Sequence, residues 1–309
     1  MSLTSSPCDD PDRRAIIDLA REHSIDRIGF AKAEPVEATQ SAHYQSWLAA
    51  GQHAGMDYLE RYPDIRTDPR LLLPGTRTVI SCAISYWHPE EQQSYAPQIA
   101  HYAHGDDYHD IVRRILTPIA DEIASRWGAE CRICVDTAPI HERYWALRSG
   151  VGFRGRNGLI IAPGVGSYIF LAEIVTTHPF LPTEPLPQDI CDSCGECIRH
   201  CPGHALRGDG TVDCRLCLSY LTIEYRGDFP DGFHTGGRLA GCDRCQQVCP
   251  HNVRPKPTSH PEFHLRPALA TLTREQVAAL TPGSYAELLR RSSLKRIKLP
   301  ALQRNLRHL

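Results

Sequence analysis

No stretch of this 309-residue sequence runs apolar for the roughly 18 residues a membrane-spanning helix needs, which excludes a helical membrane protein. The opening residues, MSLTSSPCDDPDRR, lack both a basic start and an apolar run, so no secretory signal is read and a soluble, cytoplasmic protein is expected. Charge of either sign is nearly cancelled. With 34 Lys and Arg against 36 Asp and Glu the net value is −2, and the global balance demands neither nucleic acid nor membrane. Nucleotide-binding signatures are missing too. No G-x-G-x-x-G follows a strand; the nearest set, Gly150, Gly152 and Gly155, follows a helical stretch and reads as turn formers. There is no Walker A motif. Hydrophobic content of 41% over this length is enough for two domains, one with a full core.

Cysteine is what the chain has in quantity, 13 in all. Cys191, Cys194, Cys197 and Cys201, followed by Pro202, reproduce the bacterial iron–sulfur run C-x2-C-x2-C-x3-C-P. A broken second copy follows: Cys242, Cys245 and Cys249 before Pro250, with Cys217 upstream as the missing first ligand. In two-cluster ferredoxins the fourth Cys of each run ligates the other cluster. One cluster then takes Cys191, Cys194, Cys197 and Cys249, and the other takes Cys201, Cys217, Cys242 and Cys245. Paired zinc sites are the competing reading, but they do not require three cysteines at two-residue gaps ahead of Cys-Pro. Disulfides do not suit clustered C-x2-C pairs in a chain without an export signal. Four-iron clusters move single electrons, so the chain reads as a redox enzyme or an electron-transfer module.

Periodicity predicts a helix, turn and strand over 11–34 and a helix over about 41–61. A buried strand is predicted over 78–84, a helix over 106–127, a short strand over 131–135 and a helix over 139–150. Residues 159–161 and 168–175 read as the two strands of a hairpin. Alternating helices and strands up to about 180 indicate an α/β or α+β layered domain. Pro179, Pro182, Pro185 and Pro187 then mark a linker. The expected division is 1–180 for a catalytic domain, 181–255 for a two-cluster ferredoxin-like domain and 256–309 for a basic helical segment.

Two features carry open alternatives. Asp136 ends a predicted strand, where α/β proteins place reactive groups, yet Asp136 or Thr137 could equally cap a helix opening at Pro139. The last twenty residues hold Arg290, Arg291, Lys295, Arg296, Lys298, Arg304 and Arg307 without an acid. They read either as the solvated face of an amphipathic helix, with Leu294, Ile297, Leu302, Leu306 and Leu309 on its apolar side, or as a phosphate-contacting surface. Asp107-x-His109 starts like the D-x-H-x-x-G motif that presents a His to cobalamin, but residue 112 is Val, so His109 reads as non-ligating. The remaining cysteines read blandly. Cys131 and Cys134 point to opposite faces of a strand, Cys82 is core, and Cys8 lies in the opening segment. Cys214, beside Cys217, is the one with redox potential of its own.

Val135-Asp136-Thr137, Gly150-Val151-Gly152-Phe153-x-Gly155-Arg156-Asn157, Gly166-Ser167-Tyr168-x-x-Leu171-Ala172-Glu173 and Cys217-Leu218-Ser219-Tyr220-Leu221-Thr222-Ile223-Glu224 precede or lie among the cysteine runs. In that order they resemble the epoxyqueuosine reductase family from about residue 15 onward. The resemblance implies an α+β fold: a nitroreductase-like, reductive-dehalogenase-like cobalamin-binding domain, a two-[4Fe-4S] ferredoxin-like domain and a short C-terminal helical segment. It implies a monomeric oxidoreductase carrying out the last step of queuosine biosynthesis, reducing epoxyqueuosine at the tRNA wobble position with base-off cob(II)alamin and electrons from a low-potential donor. Residue by residue, Asp136 takes the place of the proton donor and also borders the cofactor. Arg66, in Arg66-x-x-Pro69-Arg70-x-Leu72-Leu73-Pro74, matches a cobalamin-contacting Arg. Ala100, Ile160, Ser167, Leu171, Ser219 and Asp243 fall at or beside corrin-lining positions, and Arg226 stands where a basic residue approaches tRNA, which tips the basic tail towards phosphate. Arg156 replaces the family's usual Lys, Cys214 is extra, and the helical-repeat extension of many relatives is missing.

Expelling an epoxide oxygen needs an acid, and Asp136 can serve if burial raises its pKa. Two rivals stand beside this reading: a reductive dehalogenase-like cobalamin enzyme acting on a small molecule, and a ferredoxin-type electron-transfer protein.

Overall fold

The computed structural model describes residues 10–188, 190–191 and 193–309; Cys8 lies outside the described residues. Among the described residues eight strands are formed: β1 (Arg27–Lys32), β2 (Thr78–Ser85), β3 (Gln98–Ile99), β4 (Cys131–Cys134), β5 (Phe153–Arg154), β6 (Ile160–Ile161), β7 (Ile169–Thr176) and β8 (Arg238–Ala240). The main sheet runs β1-β2-β7-β4 and every pairing in it is antiparallel. That makes the domain α+β, and the crevice rule for parallel sheets does not apply to Asp136.

All eight residues of β2 are buried, because both faces of the sheet are covered. Ile80, Cys82 and Ile84, with Phe170, Ala172 and Ile174 of β7, pack on one face against Ile16 and Ala20 of the Pro11–Glu22 helix and Ile111, Leu116, Ile119 and Ile123 of the Tyr108–Trp127 helix. Val79 and Val175 turn to the other face with Tyr144 and Trp145, and Ala83 meets Ala146, Val151 and Ile160. The alternation is the ordinary two-residue period of a strand used on both sides. Cys131 and Cys134 fall on opposite faces as expected, and Cys82 is core. Glu173 is fully buried opposite Ser81; burial, with the nearby Glu142 charge, pushes its carboxyl well above the usual range, so it is carried neutral.

Two local expectations change. The helix predicted over 41–61 forms only as Ala38–Ala49, followed by turns with Gly51 at φ 65° and a short 3-10 segment at Asp57–Leu59. The hairpin predicted between 159–161 and 168–175 does not form: β6 pairs with β5, while β7 lies between β2 and β4. Two-residue strands carry no periodicity from which a partner could be read.

A second core is drawn from distant parts of the chain. Ile99 and Ala103, then Ile223 and Leu239, pack with Leu269, Val277, Leu289, Leu294, Ile297 and Leu302, and β3 pairs in parallel with β8. Phe263 meanwhile joins the first core. The basic tail is therefore mostly folded structure. Leu294, Ile297 and Leu302 are buried, Leu306 and Leu309 partly so, and its helix is Leu299–Arg307. Arg304 is only 3% exposed; its guanidinium donates to the carbonyls of Tyr225, Gly227 and Leu221 and lies 4.0 Å over the Phe229 ring. Arg296 is held by Glu224 and Arg291 by Asp106. Arg290, Lys295, Lys298 and Arg307 are exposed.

Arg304→Ala leaves buried carbonyls without donors and removes a cation–π contact, and should cost about 2–4 kcal/mol. Arg307→Ala, on the exposed side, should stay within about 0.5 kcal/mol. Urea midpoints of the cluster-loaded variants measure the contrast; equal midpoints would refute the buried role of Arg304.

Candidate active site

Antiparallel pairing brings the end of β2 to the start of β7, with Ser85 opposite Ile169, and points β4 towards the same edge, where it stops short at Cys134 opposite Glu173. The cysteine region and the chain after it are docked along this edge. Ser85 Oγ donates to the Lys256 carbonyl at 2.6 Å, Lys256 Nζ pairs with Asp26 at 2.7 Å, and Asn252 accepts from the Ser167 N–H at 2.8 Å. Gln246 donates to the Ser167 carbonyl at 2.9 Å.

Asp136 leaves this edge in a strained conformation. Its φ is +51°, and the Thr137 N–H donates to the Val135 carbonyl at 2.5 Å, closing a γ-turn of the rare left-handed form. The next helix is Glu142–Arg148 with His141 at its N-cap, so neither Asp136 nor Thr137 caps it. The Asp136 N–H donates to Glu142 Oε1 at 2.6 Å. Burial, reinforced by the Asp136 charge, raises the Glu142 carboxyl. The Asp136 carboxylate itself accepts from Tyr108 Oη and His109 Nε2, each at 3.0 Å. Asp107 completes the set: it caps the Tyr108–Trp127 helix by accepting from the His109 N–H, and it holds His109 Nδ1 at 2.7 Å.

The protonation pattern follows. Burial alone would lower His109, but its hydrogen bonds to Asp107 and Asp136 prevail and raise it to about 9, so the ring is an imidazolium at neutral pH. Burial alone would raise Asp136, but the His109 hydrogen bond and charge, with Tyr108 and Arg296, hold it below the usual carboxylate range. In this geometry the His109 partner outweighs burial at Asp136, and the proton of the pair rests on His109. Reading His109 only as a candidate cobalt ligand missed this; the signal was an N-cap Asp two residues ahead of a His.

Asp136 is half exposed, on a face shared with the exposed Tyr58 ring, whose phenol is raised by burial and by the Glu224 and Asp136 charges. Arg66 donates to the Tyr58 carbonyl at 3.0 Å, so it borders the same face. Ala100, Ser167 and Asp243 are gathered differently, around the Arg244–Gln247 helix. The Ala100 N–H donates to Ala240, the Asp243 carboxylate accepts from the His101 N–H at 2.7 Å, and Ser167 is held by Gln246 and Asn252. Ser219 is half-buried in the Leu218–Ile223 helix. Ile160 and Leu171 pack instead with Ala83, Ala146 and Val151 under the Glu142–Arg148 helix. Arg226 is exposed, but two of its nitrogens donate to the carbonyls of Ile223 and Arg296.

No disulfide joins the described cysteines. Cys191, Cys194, Cys197 and Cys249 line one small cavity with Arg156, Ile161 and Pro250. Cys217 is close enough to sense the charges of Cys201, as Cys245 senses those of Cys242 and Cys217. Gly203 makes the approach possible, since a Cβ there would overlap the Leu216 carbonyl. Cys214 has Cys217 as its cysteine neighbour, and its backbone N–H donates to Gln52.

The family model described as epoxyqueuosine reductase QueG, DUF1730, matches residues 66–137, and that of a 4Fe-4S double cluster binding domain matches residues 190–252. An epoxyqueuosine reductase of Cyclobacterium marinum is 35% identical over 297 residues, 93% of each chain. That of Vibrio cholerae is 37% identical over 294 residues, covering 90% of this chain and 79% of its own. Among solved structures, an epoxyqueuosine reductase with an epoxyqueuosine-modified tRNA-Tyr stem loop aligns with a TM-score of 0.85 at 31% identity, over 95% of this chain and 79% of that one. The Bacillus subtilis enzyme, solved with its catalytic aspartate loop swung out of the active site, aligns at 0.86 and 29% identity over the same shares. A double-cluster domain behind an acid–base face, in a chain this similar along nearly its whole length, belongs to the epoxyqueuosine reductase family.

Proposed function

We propose that this chain removes the epoxide oxygen of epoxyqueuosine at the tRNA wobble position, leaving queuosine. The observation that carries the reading is the seating of two four-cysteine groups against the sheet edge from which Asp136 and its proton-bearing partner His109 emerge. Cys191, Cys194, Cys197 and Cys249 would hold one four-iron cluster, and Cys201, Cys217, Cys242 and Cys245 the other. A corrin would border Asp136, Arg66, Ala100, Ser167, Ser219 and Asp243. Both ring nitrogens of His109 are engaged, which fits a cobalamin held base-off without this imidazole on cobalt. When bound, the corrin supplies the reduction at the epoxide carbon, with electrons arriving singly through the clusters from a low-potential donor.

The balance is epoxide plus two electrons plus two protons, giving alkene and water. Both carbon–oxygen bonds break, and the departing oxygen must be protonated, because an alkoxide leaves slowly at neutral pH. Asp136 is placed to pass that proton from His109, while Asp107 keeps the imidazolium oriented and Tyr108 fixes the carboxylate. The strained turn at Asp136 lets the carboxylate reposition when substrate arrives. The exposed cations Arg290, Lys295, Lys298 and Arg307, with Arg226, are the groups available for phosphates.

Protein reconstituted with iron, sulfide and cobalamin and supplied with reductant should convert an epoxyqueuosine-bearing anticodon stem-loop, read as loss of one oxygen from the nucleoside mass. Turnover of halophenols in its place would favour a dehalogenase-like enzyme, and absence of corrin binding an electron-transfer module. Asp136→Asn should keep its clusters and lose about 10²–10⁴ in kcat. Wild-type kcat should fall as pH rises through about 9, where His109 gives up its proton, and His109→Gln should lack that limb. A limb retained in that variant would move the proton elsewhere. Cys217→Ser should drop iron from about eight to about four atoms per chain, whereas Cys214→Ser should keep all of it.

A further inference from the structure

We propose that His88, His101 and His104 form a binding site for a divalent transition metal of the zinc class, apart from the eight cysteines. One nitrogen from each ring lies within 4.8 Å of the others, and His88 and His104 are 1% and 2% exposed. His88 lies beyond the end of β2 and the other two in the turn after β3, so the three come from loops joined only by folding.

The hydrogen positions identify the missing partner. His104 Nε2 is 2.9 Å from the Ile99 carbonyl, which can only accept, so Nε2 carries the hydrogen and Nδ1 a lone pair. Glu90 Oε2 stands 2.9 Å from His88 Nδ1 without forming a hydrogen bond, and as an acceptor it favours the tautomer with the hydrogen on Nδ1 and a lone pair on Nε2. Those two lone-pair nitrogens, His104 Nδ1 and His88 Nε2, face each other at 3.1 Å. A hydrogen bond between them needs His88 to carry its hydrogen on Nε2, away from Glu90, whereas an ion between them lets both rings keep those other partners. Two nitrogens bound to one tetrahedral zinc at about 2.0–2.1 Å stand about 3.3 Å apart, a few tenths from the distance found.

The surroundings also match. A metal-bound imidazole normally gives its other nitrogen to a carboxylate or carbonyl, and here Glu90, Ile99 and Asp243 face His88, His104 and His101, the last at 3.6 Å. Glu90 is itself fixed by His264 Nδ1 at 3.0 Å. His101 keeps partial exposure, giving an ion a way in and leaving a fourth position for water. Bound there, the ion ties the loops after β2 and β3 together and steadies Asp243, which accepts from the His101 N–H.

The test uses cluster-loaded protein, so that the cysteines are occupied, dialysed against zinc and then zinc-free buffer. Metal analysis should give one zinc per chain with iron unchanged. Zinc-edge absorption should show a nitrogen or oxygen shell at about 2.0–2.1 Å and no sulfur at about 2.3 Å. Zinc affinity should fall about 10–100-fold in Glu90→Gln and further in His104→Gln. Should His104→Gln not retain its clusters, His101→Gln on the accessible rim gives the same reading. No zinc uptake, which would leave a plain hydrogen bond between His88 and His104, overturns the proposal. So does a sulfur shell, or uptake unchanged in His101→Gln. None of these readouts depends on turnover.

Discussion

Burial of the β2–β7 ladder on both faces is the constraint from which the rest of the molecule follows. A strand covered on both sides can expose function only at its ends, and antiparallel pairing decides which ends coincide. The exit of β2 and the entrance of β7 therefore meet at one edge, and β4 points towards it. The polar groups of Ser85, Ser167 and Asp26 at that edge are satisfied by Lys256, Gln246 and Asn252. The double-cluster domain is in this way bonded to the catalytic layer. Electron carriers and acid–base groups share one rim.

At that rim two carboxylates and an imidazole are tied into one hydrogen-bonded set. Asp107 caps a helix and in the same gesture fixes the His109 ring. Asp136, pressed into a left-handed turn, meets the opposite nitrogen. The two acids together outweigh the desolvation of His109 and keep it charged at neutral pH. The position of the proton in this pair is set by geometry and not by Asp136 alone.

The C-terminal residues illustrate how charge can mislead when read without packing. Arg304 is a structural cation, stacked on Phe229 and clamped to main-chain carbonyls, and Arg296 is matched to Glu224. Only the cations facing outward remain for a polyanion. The same helix contributes Leu302 to a core shared with Ile99, Ile223 and Leu239, so the tail closes the fold as well as carrying charge.

The sequence by itself determined the long elements, narrowed the class to α/β or α+β and displayed the cysteine runs and the family motifs, because strong periodicity and fixed spacing are local properties; antiparallel pairing then decided for α+β. It also marked Asp136 and the bland roles of Cys82, Cys131 and Cys134. Tertiary structure alone decided the partners. Two-residue β6 found β5 instead of β7, Ile160 and Leu171 turned to an apolar pocket, and Asp136 met His109 from 27 residues away. The histidine trio after β2 and β3 has no spacing that announces it. A pKa, a tautomer or a shared cavity depends on distances through space, and those exist only once the chain has closed on itself.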